Sequence, residues 1–145
     1  MTGVQTRLVM RGLERLEREN EIRRSHAELY RAGLAGLEGV TLLRLEPDCL
    51  PVFPYFPVLC RESRGLLHWA FRQGRDIATH SLKNCADLTL FRDFRRDCPN
   101  ARRASESLIL LPTYPRYPVA EIERNIDAIR AFCRPSGRAA LQGRP

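Results

Sequence analysis

The chain has 145 residues, 43% of them hydrophobic and 28% charged, with a formal net charge of +7. That length suits one domain with a sizeable core, and the apolar fraction excludes an intrinsically disordered chain. No apolar run approaches the roughly 18 residues needed to span a membrane, and the charged amino-terminal segment is unlike a secretory leader, so a soluble, cytoplasmic protein is expected.

The first element in chain order is a long helix over residues 4–37. Val9, Leu13, Leu16, Ala27, Tyr30, Leu34 and Leu37 recur at three- and four-residue steps, as one helix face requires. Asn20 and Arg23 interrupt that stripe, and the opposite face is thick with Arg and Glu. Glu17 and Glu21 repel at i,i+4 while Glu19 and Arg23 attract, so the charges add little net stability. A helix this long spans about 50 Å, more than a small core covers. The excess apolar stripe at Val9, Leu13 and Leu16 therefore calls for a partner, either another domain or another copy of the chain.

Gly36 and Gly39 end the helix, and Val40–Leu45 reads as a strand. Pro47, Pro51 and Pro54 punctuate a loop before a second strand at Phe56–Cys60. Ser63 is placed to cap a helix over Arg64–Gln73, with Leu66, Leu67, Ala70 and Phe71 on its apolar face and Gly74 as its stop. Asp76–His80 is a short strand, and Asp87 and Asn100 are candidate caps of short helices. Ser107–Leu111 is an uninterrupted apolar strand, residues 112–118 turn, and Val119–Phe132 is the last helix. The tail from Arg134, rich in Gly, Arg and Pro, is expected to be disordered. The pattern gives an α+β fold: a long amino-terminal helix, then a small, mostly antiparallel sheet with helices on one face.

The chemistry-bearing residues are sparse. Lys83 is the only lysine, and the arginines are dispersed, with Arg92, Arg95, Arg96, Arg102 and Arg103 the one dense cluster; a nucleic-acid interface is not expected despite the charge. The five cysteines are odd in number and form no CxxC pair, so reduced thiols are expected. His80, Cys85 and Cys98 could be imagined around zinc, but two-ligand knuckles are lacking and no metal is expected. No Gly-rich phosphate loop and no supported Ser–His–Asp order occurs. Glu62, Asp76 and Asp87 are single carboxylates, and His26, read on the polar helix face, and His68 are read as structural. Tyr114-Pro115-Arg116-Tyr117-Pro118 is either a ligand-exposed aromatic segment or a chain reversal.

One stretch is distinctive as an ordered whole. Cys98-Pro99-Asn100-Ala101 and Ala104-Ser105-Glu106-Ser107 precede Leu108-Ile109-Leu110-Leu111-Pro112-Thr113-Tyr114-Pro115, and a closing helix carries Ile122, Ile126, Ile129 and Phe132. It resembles the carboxy-terminal end of the DegT/DnrJ/EryC1/StrS family of sugar aminotransferases, which use pyridoxal phosphate. Upstream, Gln5, the Leu13/Leu16 pair, Arg23, Ala27, Tyr30 and Leu34 resemble the helix that leaves the family's large domain. Tyr55-Phe56-Pro57-Val58, the helix 63–74 and Asp76–His80 resemble the core of its small domain; Asn84-Cys85-Ala86-Asp87-Leu88 with Phe91 resembles the loop and helix that follow. The likeness runs from Val4 to Arg134.

The resemblance implies a connecting helix over 1–38, a small carboxy-terminal domain over 39–134 and a disordered tail over 135–145. It implies that full members are homodimers that move an amino group, usually from glutamate or glutamine, to a nucleotide-linked keto sugar. It places the Schiff-base lysine, the carboxylate on the pyridine nitrogen and the phosphate cradle in the large domain, upstream of anything matched by this chain. No catalytic, cofactor-binding or metal residue is therefore expected in this chain alone. The surroundings of Lys83 differ from those of the family's lysine. The loop after the third strand lies near the family's active-site mouth, which makes His80, Lys83 and Asn84 candidates for substrate contact. Cys85 stands where many members carry a second histidine. The expectation is a truncated or split aminotransferase that pairs with a large domain or with itself; the alternatives are a free-standing dimerisation module and, less well supported, a basic nucleic-acid binder.

Overall fold

The computed structural model describes residues 2–79 and 83–134. The expected tail at 135–145 and the candidate His80 lie outside the described residues. The chain forms helix α1 (Gly3–Leu34), strands β1 (Val40–Leu42) and β2 (Tyr55–Cys60), helix α2 (Ser63–Arg72), strand β3 (Ala78–Thr79), 3-10 turns at Cys85–Asp87 and Thr89–Phe94, helix α3 (Pro99–Ser107), strand β4 (Leu108–Pro112) and helix α4 (Val119–Cys133). The strands make one antiparallel sheet in the order β1-β2-β4-β3.

Alternation along the central strands sets the layers. In β2, Phe56, Val58 and Cys60 are buried, while Tyr55 is exposed and Pro57 and Leu59 are half-buried. The register sets Phe56 opposite Leu111 and Val58 opposite Ile109, so one sheet face is continuously apolar. The carboxy-terminal half of α1, with α2 and α4, covers that face. Ala27, Tyr30, Leu34, Leu66, Ile122, Ile129 and Phe132 close one core with Phe56, Val58, Ile109 and Leu111. Tyr30 stacks on Phe56 with ring centroids 5.7 Å apart. Trp69 of α2 reaches α4 twice, packing against Phe132 and donating its indole N–H to the Ala128 carbonyl at 3.1 Å.

Gly33 lets α1 and α4 cross closely. A Cβ built there would lie 2.7 and 2.8 Å from Ile126 side-chain atoms. Arg130 reinforces the crossing by donating from Nε to the Gly33 carbonyl at 2.8 Å. Buried between the helices, Asn125 donates from Nδ2 to the Tyr30 and Tyr117 hydroxyls at 3.1 and 2.9 Å.

Several boundaries differ from the sequence reading. β1 stops at Leu42; the residue opposite Leu43 would be Pro57, which has no N–H for the ladder. β3 does not begin at Asp76, because Ile77 donates its N–H back to the Arg75 carbonyl in a tight turn. Ser63 is the first helical residue of α2 and Glu62 its N-cap; the Ser63 hydroxyl donates to the Glu106 carbonyl at 2.6 Å instead. Phe71, assigned to the apolar face, is 82% exposed. Glu19 pairs with Arg15 rather than Arg23.

Candidate functional site

Two surfaces gather the residues singled out above. The first is the amino-terminal half of α1. Its start is fixed by a reciprocal capping box: Gln5 donates its N–H to Thr2 Oγ1, and Thr2 donates its N–H to Gln5 Oε1. Beyond that cap Val9, Leu13 and Leu16 are 50%, 57% and 49% exposed, flanked by exposed Val4, Leu8 and Met10. These are three of the seven apolar stripe positions. From Asn20 onward the same face is buried at Ala27, Tyr30 and Leu34.

The polar residues that break the stripe mark where the helix meets the fold. Arg23 donates from Nη1 to the Pro54 carbonyl at 3.4 Å. His26 is buried, contrary to its reading as a polar-face residue, with Nδ1 3.2 Å from the Thr113 carbonyl oxygen. That oxygen only accepts, so Nδ1 carries the proton. Thr113 in turn donates its hydroxyl to the Phe53 carbonyl at 2.6 Å. Phe53 sits at φ +50, a left-handed conformation that a bulky residue holds only when its neighbours enforce it. The chain from 53 to 54 is thus pinned by α1 on one side and the end of β4 on the other.

The second surface is the loop after β3. Lys83 is exposed and Asn84 half-buried. Asn84 accepts the Ala86 N–H on Oδ1 at 3.4 Å, capping the short turn, and donates from Nδ2 to Asp87 Oδ2 at 2.8 Å. Arg102 of α3 grips Asp87 as a fork: Nε reaches Oδ1 and Oδ2 at 3.2 and 3.0 Å, and Nη2 reaches Oδ1 at 2.7 Å. Its Nη1 donates to Asp97 Oδ1 at 3.2 Å. Hydrogen bonds from Arg102 and then Asn84 hold the Asp87 carboxyl below the usual carboxylate range. The same grip holds Arg102 further into its charged form. Lys83, Asn84 and Cys85 line one wall of an adjoining cavity of about 310 Å³, with Ala101, Ala104 and Ser105 of α3 and Leu108 of β4 opposite.

The residues present do not fit pyridoxal phosphate. That group needs a lysine amine, a carboxylate for the ring nitrogen and an anion cradle. The described lining of the Lys83 cavity contains no carboxylate and no arginine, and the nearby Asp87 is engaged by Arg102. Among the described residues no group of three or more His, Cys, Asp or Glu side chains is placed to hold a metal ion.

Residues 114–118 form a reversal: Tyr117 donates its N–H to the Tyr114 carbonyl at 2.9 Å, and their rings meet edge to face at 4.9 Å. Tyr117 is buried, and its phenol joins Tyr30 on Asn125. Burial pushes the Tyr30 and Tyr117 hydroxyls above the ordinary phenol range. The sequence reading missed this trio and the Asp87–Arg102 pair. The signal for Asn125 was a polar residue on an otherwise apolar helix face; for Asp87 and Arg102, fifteen residues apart, there was none.

The family model for DegT/DnrJ/EryC1/StrS aminotransferases matches residues 1–130. Among solved structures, the chain is similar to DesV from S. venezuelae, with 26% identity and a TM-score of 0.78 over 87% of this chain and 35% of that one. It is also similar to the sugar aminotransferase CalS13 from Micromonospora echinospora, with 20% identity and a TM-score of 0.75 over 82% and 32% of the two chains. A DegT/DnrJ/EryC1/StrS aminotransferase from Brucella abortus matches with 21% identity and a TM-score of 0.71 over 85% and 33%. The chain therefore spans about a third of the length of the solved structures it matches. No curated protein sequence matches it.

Proposed function

The chain belongs to the DegT/DnrJ/EryC1/StrS aminotransferase family, and on that premise we propose that it supplies the connecting helix and small domain of a sugar aminotransferase, residues 1–38 and 39–134, to a partner that holds pyridoxal phosphate. The observation that supports this reading is the pairing of one closed apolar core with an uncovered apolar stripe at Val9, Leu13 and Leu16. The stripe is the seat for a cofactor-binding large domain or for a second copy of the chain, and the working assembly contains that large domain, in the homodimeric arrangement expected of full family members. The reaction of that assembly is amino transfer to a nucleotide-linked keto sugar, in polysaccharide or antibiotic-sugar biosynthesis. When bound, the cofactor supplies the electron sink for the amino transfer. Lys83 and Asn84, with His80, contact the sugar substrate at the active-site mouth, and the chain alone is inactive. Among the described residues no helix is long and apolar enough to cross a membrane, which agrees with a soluble cytoplasmic setting.

Titrating the purified chain with pyridoxal phosphate, followed by borohydride trapping and mass spectrometry, tests this reading. No stoichiometric adduct is expected. A stable reduced adduct on Lys83 would make the chain a cofactor-binding unit in its own right and overturn the proposal.

A further inference from the structure

We infer that Arg102 is a positioning residue: its fork on Asp87 latches the Lys83–Asn84 loop onto α3 and keeps the cavity between them in shape. The inference rests on the reading of that loop as a substrate-contact loop only for its consequence, not for its geometry.

Among the described residues the loop has little else to hold it. Leu90 and Phe94, in the 3-10 turn that follows, are 84% and 82% exposed, and Phe91 39%, so apolar burial anchors that turn only through Phe91. None of residues 83–94 is buried. The polar contacts converge instead on one carboxylate. Asp87 takes three hydrogen bonds from the Arg102 guanidinium and one from Asn84 Nδ2, and Asn84 is the residue that caps the turn. One link therefore runs from α3, through Arg102 and Asp87, to Asn84 and its neighbour Lys83. Asp97, in the segment leading into α3, takes the remaining guanidinium arm, so the latch joins both ends of the connection between the loop and α3. The charged groups facing the carboxylate are Arg102 and, more weakly, Arg95. A lysine at position 102 would keep the charge but lose the planar fork that grips both oxygens at once.

The test is amide hydrogen exchange, resolved by residue, on the full chain at neutral pH. The reporters are Asp87, Leu88 and Phe91, whose N–H groups close the turns. Arg102→Gln is expected to speed their exchange about fivefold while Ile109, Leu111 and Ile129 in the core keep their protection, and Arg102→Lys is expected to fall between. In an Asp87→Asn background, Arg102→Gln is expected to add less than about twofold, as coupled partners require. Unchanged exchange at the reporters would overturn the latch, as would an equal rise in loop and core, which would make Arg102 a general stabiliser. Full effects of Arg102→Gln in the Asp87→Asn background would also overturn it. These outcomes do not depend on cofactor or substrate, so a chain that fails the pyridoxal phosphate test can still pass this one.

Discussion

The two halves of α1 share one sequence pattern and meet opposite fates. Between Asn20 and Leu34 the stripe is sealed: Ala27, Tyr30 and Leu34 lie against the sheet and α4. Between Val4 and Leu16 the same three- and four-residue spacing continues into solvent. Periodicity reports that a face needs cover; it does not report what covers it. The junction is made by polar residues, since Arg23 and His26 fasten the helix to backbone carbonyls where the apolar contacts begin.

The sharpest way to test that contrast is one substitution in both halves. Leu34→Ala should cost about 2–5 kcal/mol, because the side chain is fully enclosed. Leu13→Ala should change stability by less than about 0.5 kcal/mol in the isolated monomer. Urea denaturation of dilute protein measures both, and comparable losses would mean that the amino-terminal half is covered within the same chain. Gly33→Ala comes next. Its Cβ would collide with Ile126, so a destabilisation of about 1–3 kcal/mol is expected where the same change at Gly12, with open space around it, should be neutral or slightly stabilising.

The smallest effect concerns Tyr30 in the sealed half. Its folded-state pKa and that of Tyr117 are raised, so the neutral phenols favour folding. Their contribution is fully present below the unfolded value near about 10 and is lost as pH rises above it. Thermal unfolding between neutral pH and about pH 11 should show that alkaline loss. In Tyr30→Phe it should be shallower, and an identical slope would contradict the assignment.

Much of the fold was legible. The apolar alternation of β2, the unbroken run of β4 and the stripe of α4 give the core directly, because each element buries one face and its period shows it. What was not legible depends on pairing across distance. β1 is short because of Pro57, one position beyond Leu42's partner Val58 in the ladder and fifteen residues from Leu42 in sequence. His26 looked solvent-facing because its partner, the Thr113 carbonyl, is 87 residues away. The same holds for the candidate site. Lys83 and Asn84 could be named from a resemblance, but the Arg102 fork on Asp87 is visible only once α3 is folded beside the loop. The exposure of Val9, Leu13 and Leu16 was legible in advance, since a helix of this length outruns a core built from four short strands.

The most direct test of the central claim, that the amino-terminal half of α1 is an interface, is sedimentation velocity of the wild-type chain and the Leu13→Asp/Leu16→Asp variant across a range of concentrations. The account predicts concentration-dependent association of the wild type. It predicts a variant that stays monomeric and unfolds at the same temperature as dilute wild type. Identical size distributions for the two proteins would show that the stripe is not an interface between copies of the chain and would contradict its self-association.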